Sequence, residues 1–247
     1  MSWPCRYQCY GYPLCMAFHI AETNPTLYRS DVPENPITIS TKAVNNRTSV
    51  ITTELKIPVI QGIANTQIQN NINKQVEDDL LEFKREMEEE ANIYAKLAKE
   101  QGKPFVPFIA SNIYSIPYNK ASILSMNILY HQFIRGRHSY IKVPYNYNIL
   151  TGKSLSISDL FQEGANYKEA VNRQVRQQLQ ADSSKYFPGT IEQFKGIAED
   201  QPFYLENGYL VVFFGFHQIA PTESLLPVFR IPLSSLQHIL KPIFLRG

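Results

Sequence analysis

Between Asp200 and Pro221 the chain reads DQPFYLENGYLVVFFGFHQIAP, and no other segment constrains the fold as tightly. Asn207-Gly208 separates FYLE from YLVVFFGF and predicts a two-residue type I′ turn, with positive φ at both positions. In the return strand Leu210, Val212 and Phe214 alternate with Tyr209, Val211 and Phe213, so both faces need cover. A strand of that kind belongs inside a sheet, not at its edge.

A chain of 247 residues, 44% of them hydrophobic, can bury a sizeable core as one large domain or two small ones. Fifteen Tyr and fourteen Phe against one Trp favour β-rich structure, because these rings suit pleated, half-buried surfaces. A formal net charge of +2 gives no electrostatic case for nucleic acid or an anionic membrane. No apolar run reaches the roughly 18 residues that a membrane span needs. Pro13 to Ala21 is shorter and holds Cys15 and His19. It also lacks the basic start and cleavage site of a secretory signal, so the chain as written is expected to be cytoplasmic. A misassigned start is the alternative.

All three cysteines, Cys5, Cys9 and Cys15, lie in the first twenty residues, spaced C-x3-C-x5-C. That spacing fits no common zinc, iron–sulfur or redox signature, and His19 is the only near fourth ligand. Residues 1–36 are therefore expected to be an irregular leader and linker, and no metal or cofactor is expected.

Periodicity divides the rest into α+β units at 37–150 and 151–247. Ile37 and Ile39 mark a first strand, and Ile51, Thr53, Leu55, Ile57 and Val59 alternate in a second that Gly62 closes. Ile68, Ile72, Val76, Leu80, Phe83, Met87, Ala91, Tyr94 and Ala98 then form one helical stripe, ended by Gly102 and Pro104. The acidic run from Glu77 to Glu90 reads as the solvated face of that helix. From Phe105 to Leu150 a three-strand meander is expected, with Leu124, Met126, Ile128 and Tyr130 as its apolar face. The fold class is thus an antiparallel sheet packed by one long helix, followed by a helix-rich α+β unit with a central hairpin. In that unit Tyr167, Val171, Val175 and Leu179 line a helix with Arg173 and Arg176 outside. Short helices are expected at Ser156 to Phe161, Ile191 to Ile197 and Ser234 to Leu240, with a last strand at Val228, Arg230 and Pro232.

Motifs for chemistry are sparse. Gly152-Lys153-Ser154 lacks the earlier glycine of a phosphate loop, since Tyr147 stands there. Ser139 and Lys142 fit S-x-x-K, but in a strand they point to opposite faces. His131, His138 and His217 could meet Asp159, Asp200 or Glu223 in space, which would make an acid–base or metal site. The stronger candidate is a ligand-binding surface of Tyr130, His131, Phe133, Arg135, Arg137, His138 and Tyr140. Rings stack on apolar faces and guanidinium forks bond carboxylates or carbonyls, a mixture suited to recognising a protein or a glycan.

Several segments carry a family resemblance in order. They are Tyr130-His131-Gln132-Phe133 with Gly136 and His138, then Tyr145-Asn146-Tyr147-Asn148 running into Thr151-Gly152-Lys153. Ser158-Asp159-Leu160-Phe161, Phe203-Tyr204-Leu205, Ile219-Ala220-Pro221 and Phe229-Arg230-Ile231-Pro232 follow. Over about residues 37–240 the chain resembles the tandem uncharacterised domains of RsiV-type anti-sigma factors and PdaC-type peptidoglycan deacetylases. The resemblance implies a non-enzymatic, extracytoplasmic module of spore-forming and related bacteria. In RsiV-like proteins the pair binds lysozyme; in the deacetylases it accompanies wall chemistry. This chain reads Arg135-Gly136-Arg137-His138-Ser139 where the family has Gly-Gly-Ala-His-Gly, and Thr222 to Pro227 lacks the usual glycine. No anchor, sigma-binding segment or deacetylase domain is recognised, so neither role transfers whole. The expected function is a binding or sensing module for a lysozyme-like protein or a peptidoglycan fragment. Alternatives are a wall hydrolase using His131, His138 and Asp159 or Glu223, and a structural protein of spore or envelope.

Overall fold

Strands Thr38–Arg47 (β1) and Ile51–Gln61 (β2) form an antiparallel pair, and helix Thr66–Glu100 (α1) carries the chain back along them. Phe108–Lys120 (β3), Ile123–Ile134 (β4) and Arg137–Asn148 (β5) make the expected meander, and Lys153–Ser154 (β6) adds a short edge. The computed structural model describes residues 37–221 and 226–245. The three cysteines, His19, the linker to residue 36 and Glu223 lie outside the described residues.

The first sheet has the order β1-β2-β3-β4-β5-β6. It is not wholly antiparallel: β2 and β3 run parallel over Ile51↔Phe108 to Glu54↔Ser111, because α1 returns the chain to the end where β2 began. Past Glu54 the two strands part, and side-chain amides replace the lost rungs. Asn112 of β3 accepts from the Lys56 N–H at 2.8 Å and donates to the Lys56 carbonyl at 2.9 Å. Asn73 of α1 does the same for Ile60, at 2.7 and 2.8 Å. An amide side chain has the donor and acceptor of a peptide, so the diverging strand keeps its backbone groups paired.

Helix α1 starts at Asn65, whose side chain accepts from the backbone N–H groups of Gln67 and Ile68. Its stripe of Ile72, Val76, Leu80, Phe83, Met87 and Ala91 is buried against Leu124, Met126, Ile128 and Tyr130. At about 1.5 Å per residue the 35 residues span about 52 Å, and Ile93 and Leu97, which fall outside the buried stripe, stay exposed. The acidic face is paired: Lys42 of β1 meets Glu77 at 2.5 Å, Lys74 meets Asp78 at 2.6 Å and Lys84 meets Glu88 at 2.8 Å. Glu90 differs, for its Oε1 is buried without a hydrogen-bond partner. Burial, with the Glu86 charge adding to it, pushes the Glu90 carboxyl up to about 7.

Helix Tyr167–Ala181 (α2), a four-residue helix Thr190–Gln193 (α3) and strands Phe203–Glu206 (β7), Tyr209–Phe213 (β8) and Val228–Pro232 (β9) follow. β8 is the central strand, as its two apolar faces require. Leu210, Val212 and Phe214 pack with Val171, Val175 and Leu179 of α2, while Val211 and Phe213 pack with Tyr204 on the other side. The turn before β8 departs from expectation. Gly208 has φ 81°, but Asn207 is not among the positive-φ residues, and its side chain accepts instead from Lys120 Nζ at 3.0 Å. Two consecutive positive φ values occur at Ala121-Ser122 and Arg135-Gly136, in the β3–β4 and β4–β5 turns. The closing helix is also shorter than expected, Leu233–Leu236 (α4). Beyond it the backbone pairs with the 160–162 segment, Gln162 N–H to Ile239 and Lys241 N–H to Leu160.

The described residues form one compact unit in which β7 rests on β3, β4 and β5. The contact is polar at its centre. Ser125 and Asn146, cross-strand partners on the face away from α1, are both buried. Asn146 donates to the Phe203 carbonyl at 2.9 Å, and Ser125 Oγ accepts from the Leu205 N–H at 3.0 Å while donating to Asn146 Oδ1 at 2.5 Å. Replacing Asn146 by Leu leaves buried groups on β7 and Ser125 unpaired. The expected loss is about 2–4 kcal/mol in urea unfolding, against less than about 1 for a change at exposed Asn71. Glu90 gives a pH-dependent test. Its folded pKa lies above the unfolded value, so its stabilising proton is held at low pH and lost as pH rises through about 7. Glu90→Gln is expected to flatten the fall in stability between pH 5 and 8 and to gain about 1 kcal/mol at pH 8, after allowance for solvent screening.

Candidate functional site

Alternation along β4 and β5 splits the Tyr130–Tyr140 segment between two faces of the first sheet. Leu124, Met126, Ile128 and Tyr130 point to α1. Tyr130 is buried there, edge-on to Phe83 with centroids 4.9 Å apart, and its hydroxyl lies 3.3 Å from that of Tyr145. Tyr145 in turn donates to Asp79 at 2.8 Å. Tyr130 is therefore a core residue and leaves the candidate surface. Arg135, in the β4–β5 turn, holds its guanidinium 5.1 Å above the Tyr94 ring of α1. Arg137 pairs with Ile134 and by the same alternation belongs to the α1 side.

The opposite, open face brings the other four together. His131 pairs with Tyr140 and Phe133 with His138, so the side chains form a two-by-two block. His131 stacks on His138 and on Tyr140 with centroids 5.1 and 5.0 Å apart, and Phe133 lies 4.7 Å from His138. His131 Nε2 and His138 Nδ1 are 2.8 Å apart, and Ser111 Oγ of β3 lies 3.0 Å from His131 Nδ1. This chain works with either His131 tautomer, but it needs one neutral ring nitrogen between the histidines. Burial, with the His138 charge second, holds the His131 imidazole below its ordinary pKa.

Residues distant in sequence complete the face. Ile109 pairs with Phe133 and Ile113 with Leu129, which extends the block with aliphatic side chains, and Ile113 is 58% exposed. Phe216, in the loop after β8, meets Tyr140 edge-on at 5.8 Å and carries His217 against it at 4.4 Å. Ser111 and Phe216 escaped the sequence reading because only strand pairing and the packing of the second sheet deliver them. Lys142 borders the block, its ammonium 5.3 Å over Tyr204 and 5.2 Å over Phe213. Ser139 instead donates to Gln132 on the other face, so Ser139 and Lys142 do not meet.

Of the proposed acid partners, the two among the described residues, Asp159 and Asp200, are not at the histidines. Asp159 caps the short turn Ile157–Leu160, accepting from Ser156 N–H at 2.9 Å and Lys153 Nζ at 2.6 Å. These bonds outweigh its burial and hold its carboxyl below the usual value. Asp200 sits in the turn before β7. Among the described residues no group of three or more His, Cys, Asp or Glu could hold a metal ion. Nor is any described helix long and apolar enough to cross a membrane.

Comparison with known proteins places two family models in tandem along this frame. One described as Deacetylase PdaC matches residues 44–141, and one described as a protein of unknown function, DUF3298, matches residues 158–234. A solved DUF3298 family member from Bacteroides fragilis superposes with a TM-score of 0.65 at 14% identity, covering 85% of this chain and 95% of that one. A DUF3298 family protein from Pseudomonas aeruginosa PAO1 gives 0.60 at 16% identity, covering 85% and 96%. At such identities the likeness is one of fold. No curated protein matches the chain.

His131 is expected to make the open face sensitive to acid. A base with a lowered folded pKa contributes stability above its unfolded value, and that contribution is lost as pH falls through the folded pKa. For His131 the loss is expected on acidification from pH 7 to 5. In urea titrations at both pH values, His131→Gln should reduce the acid-dependent part of the stability change. An unchanged pH profile would show that the pair is not coupled to folding.

Proposed function

We propose that this chain, a PdaC-type domain followed by a DUF3298 domain, is a non-enzymatic binding or sensing module that works through the open face of its first sheet. The reading rests on one observation: His131, Phe133, His138 and Tyr140 form a contiguous ring block, continued by Phe216 and by exposed Ile113. Rings stacked on one another across two paired strands are held in place before any partner arrives, so little side-chain entropy is lost on binding. Apolar area of this kind, rimmed by polar groups, suits a partner surface. Ile109 and Ile113 give a sugar no hydrogen-bonding group, which favours a protein, of lysozyme-like kind, over a wall glycan. Such a partner would be met outside the cytoplasm.

A second reading has its own observation. The Ser111–His131–His138 chain has the connectivity by which an imidazole activates a hydroxyl, and a wall hydrolase could use it. Hydrolysis of an acyl bond also needs oriented donors for the developing oxyanion. Around Ser111 the backbone N–H groups lie in strands paired on both sides, which supports binding over hydrolysis.

Calorimetric titration with lysozyme and with soluble muropeptides separates these ideas. Lysozyme binding is expected, weakened at least tenfold by Phe133→Ala with Tyr140→Ala and unaffected in kind by Ser111→Ala. Muropeptide binding alone would move the reading to a glycan, and cleavage of either wall fragments or a p-nitrophenyl ester that Ser111→Ala abolishes would replace it with the hydrolase. No binding to either probe would remove it.

A further inference from the structure

Away from the sheet face, a groove of about 700 Å³ runs along α2, walled on one side by the segment after α3. Its lining has a marked charge bias. Lys168, Arg173, Arg176 and Lys195 face it together with a single acid, Glu169, whereas the whole chain carries a net charge of only +2. Between the cations stand amides, among them Asn172, Gln177 and Gln180, and no aromatic side chain lines it.

The groove is built rather than incidental. Asn172 Oδ1 accepts from the Ile197 N–H at 2.8 Å. Arg176 donates to the Phe194 carbonyl at 3.3 Å and lies 5.6 Å over the Phe194 ring, and Lys168 is paired with Glu199. Three residues of α2 thus grip one short segment. Gly196 permits the approach: a Cβ there would stand 2.6 Å from Asn172 Nδ2, and its φ of 137° is one that other residues rarely adopt. The grip spends Lys168 on Glu199 and one donor of Arg176 on the backbone. Arg173, Lys195 and the remaining Arg176 donors are left to the groove.

From this arrangement we infer that the α2 groove is a separate binding site for an acidic saccharide. Guanidinium groups bond carboxylates in fixed pairs, and amides, which both donate and accept, match hydroxyls, which do likewise. A neutral sugar would leave the cations unanswered. A single-stranded nucleic acid would find charge but no ring on which to stack a base. Glu169, held by Asn166 Nδ2 at 2.6 Å, places negative charge at one end, so the ligand's acidic groups lie over Arg173, Arg176 and Lys195.

The test titrates the full chain with oligogalacturonate, with maltohexaose as the neutral arm and a single-stranded DNA oligonucleotide of matched charge. Saturable binding of oligogalacturonate that weakens with added salt is expected, with at least tenfold weaker binding of both other probes. Arg173→Gln with Lys195→Gln should weaken it at least tenfold at an unchanged melting temperature, while Phe133→Ala should leave it intact. Absent oligogalacturonate binding, equal affinity for maltohexaose or DNA, or indifference to the Arg173/Lys195 double change would each overturn the assignment. Loss with Phe133→Ala would place the sugar on the sheet face instead.

Discussion

The rest of this structure depends on how the outer edge of β7 is satisfied. One edge pairs with β8; the other lies against the face of the first sheet, where water is excluded. Buried peptide groups without partners would each cost roughly 1–3 kcal/mol. Ser125 and Asn146 meet the need at the Leu205 N–H and the Phe203 carbonyl. Apolar side chains alone could bury as much area but would leave β7 free to slide. Two directed bonds set its register on β4 and β5. That register brings Phe213 and Tyr204 under Lys142, and the loop after β8 leads Phe216 to Tyr140.

The same device recurs where strands or helices part from their neighbours. Asn112 serves Lys56, Asn73 serves Ile60, and Asn172 serves Ile197, each amide standing in for a peptide group. In the α2 case it holds against the helix the segment that carries Lys195 to the groove. Asparagine has low propensity for helix and strand interiors, so its presence there opposes local preference. Tertiary pairing outweighs that preference because the alternative is an unsatisfied backbone.

Much of the frame was legible because burial imposes a period. The stripe from Ile72 to Ala91 and the two-faced β8 follow from where apolar side chains recur. The parallel β2–β3 pairing was not legible, since it depends on how a 35-residue helix returns the chain. Nor was the type of the turn at Asn207-Gly208, where the Asn side chain bonds Lys120, a residue 87 positions away. At the candidate site, alternation alone separates Tyr130 from His131, and Tyr130 already belonged to the apolar set Leu124, Met126 and Ile128. Short-range clustering of rings and guanidinium groups overrode that period and grouped residues that the pleat divides. Arg173 and Arg176 were visible as the outer face of α2, but their meeting with Lys195 depends on Gly196.

The two surfaces differ in what holds them, and this bears on what each can recognise. The ring block stands on β4, bonded to β3 and β5, and on β5, bonded there to β4, so its geometry is set by the sheet and its weak point is the hydrogen bond between two histidines. Doubly protonated, His131 and His138 would face each other as donors without an acceptor, and the stack would open. The α2 groove is lined instead by lysines, arginines and amides, with no histidine among them. Acid should therefore act on the first surface, through its histidines. Salt should act in the opposite sense, screening the groove's cations far more than the apolar contacts of the ring block. Were both surfaces to bind as proposed, pH would act on the ring-bound partner and salt on the acidic ligand, without any change in the Ser125–Asn146 junction that fixes β7.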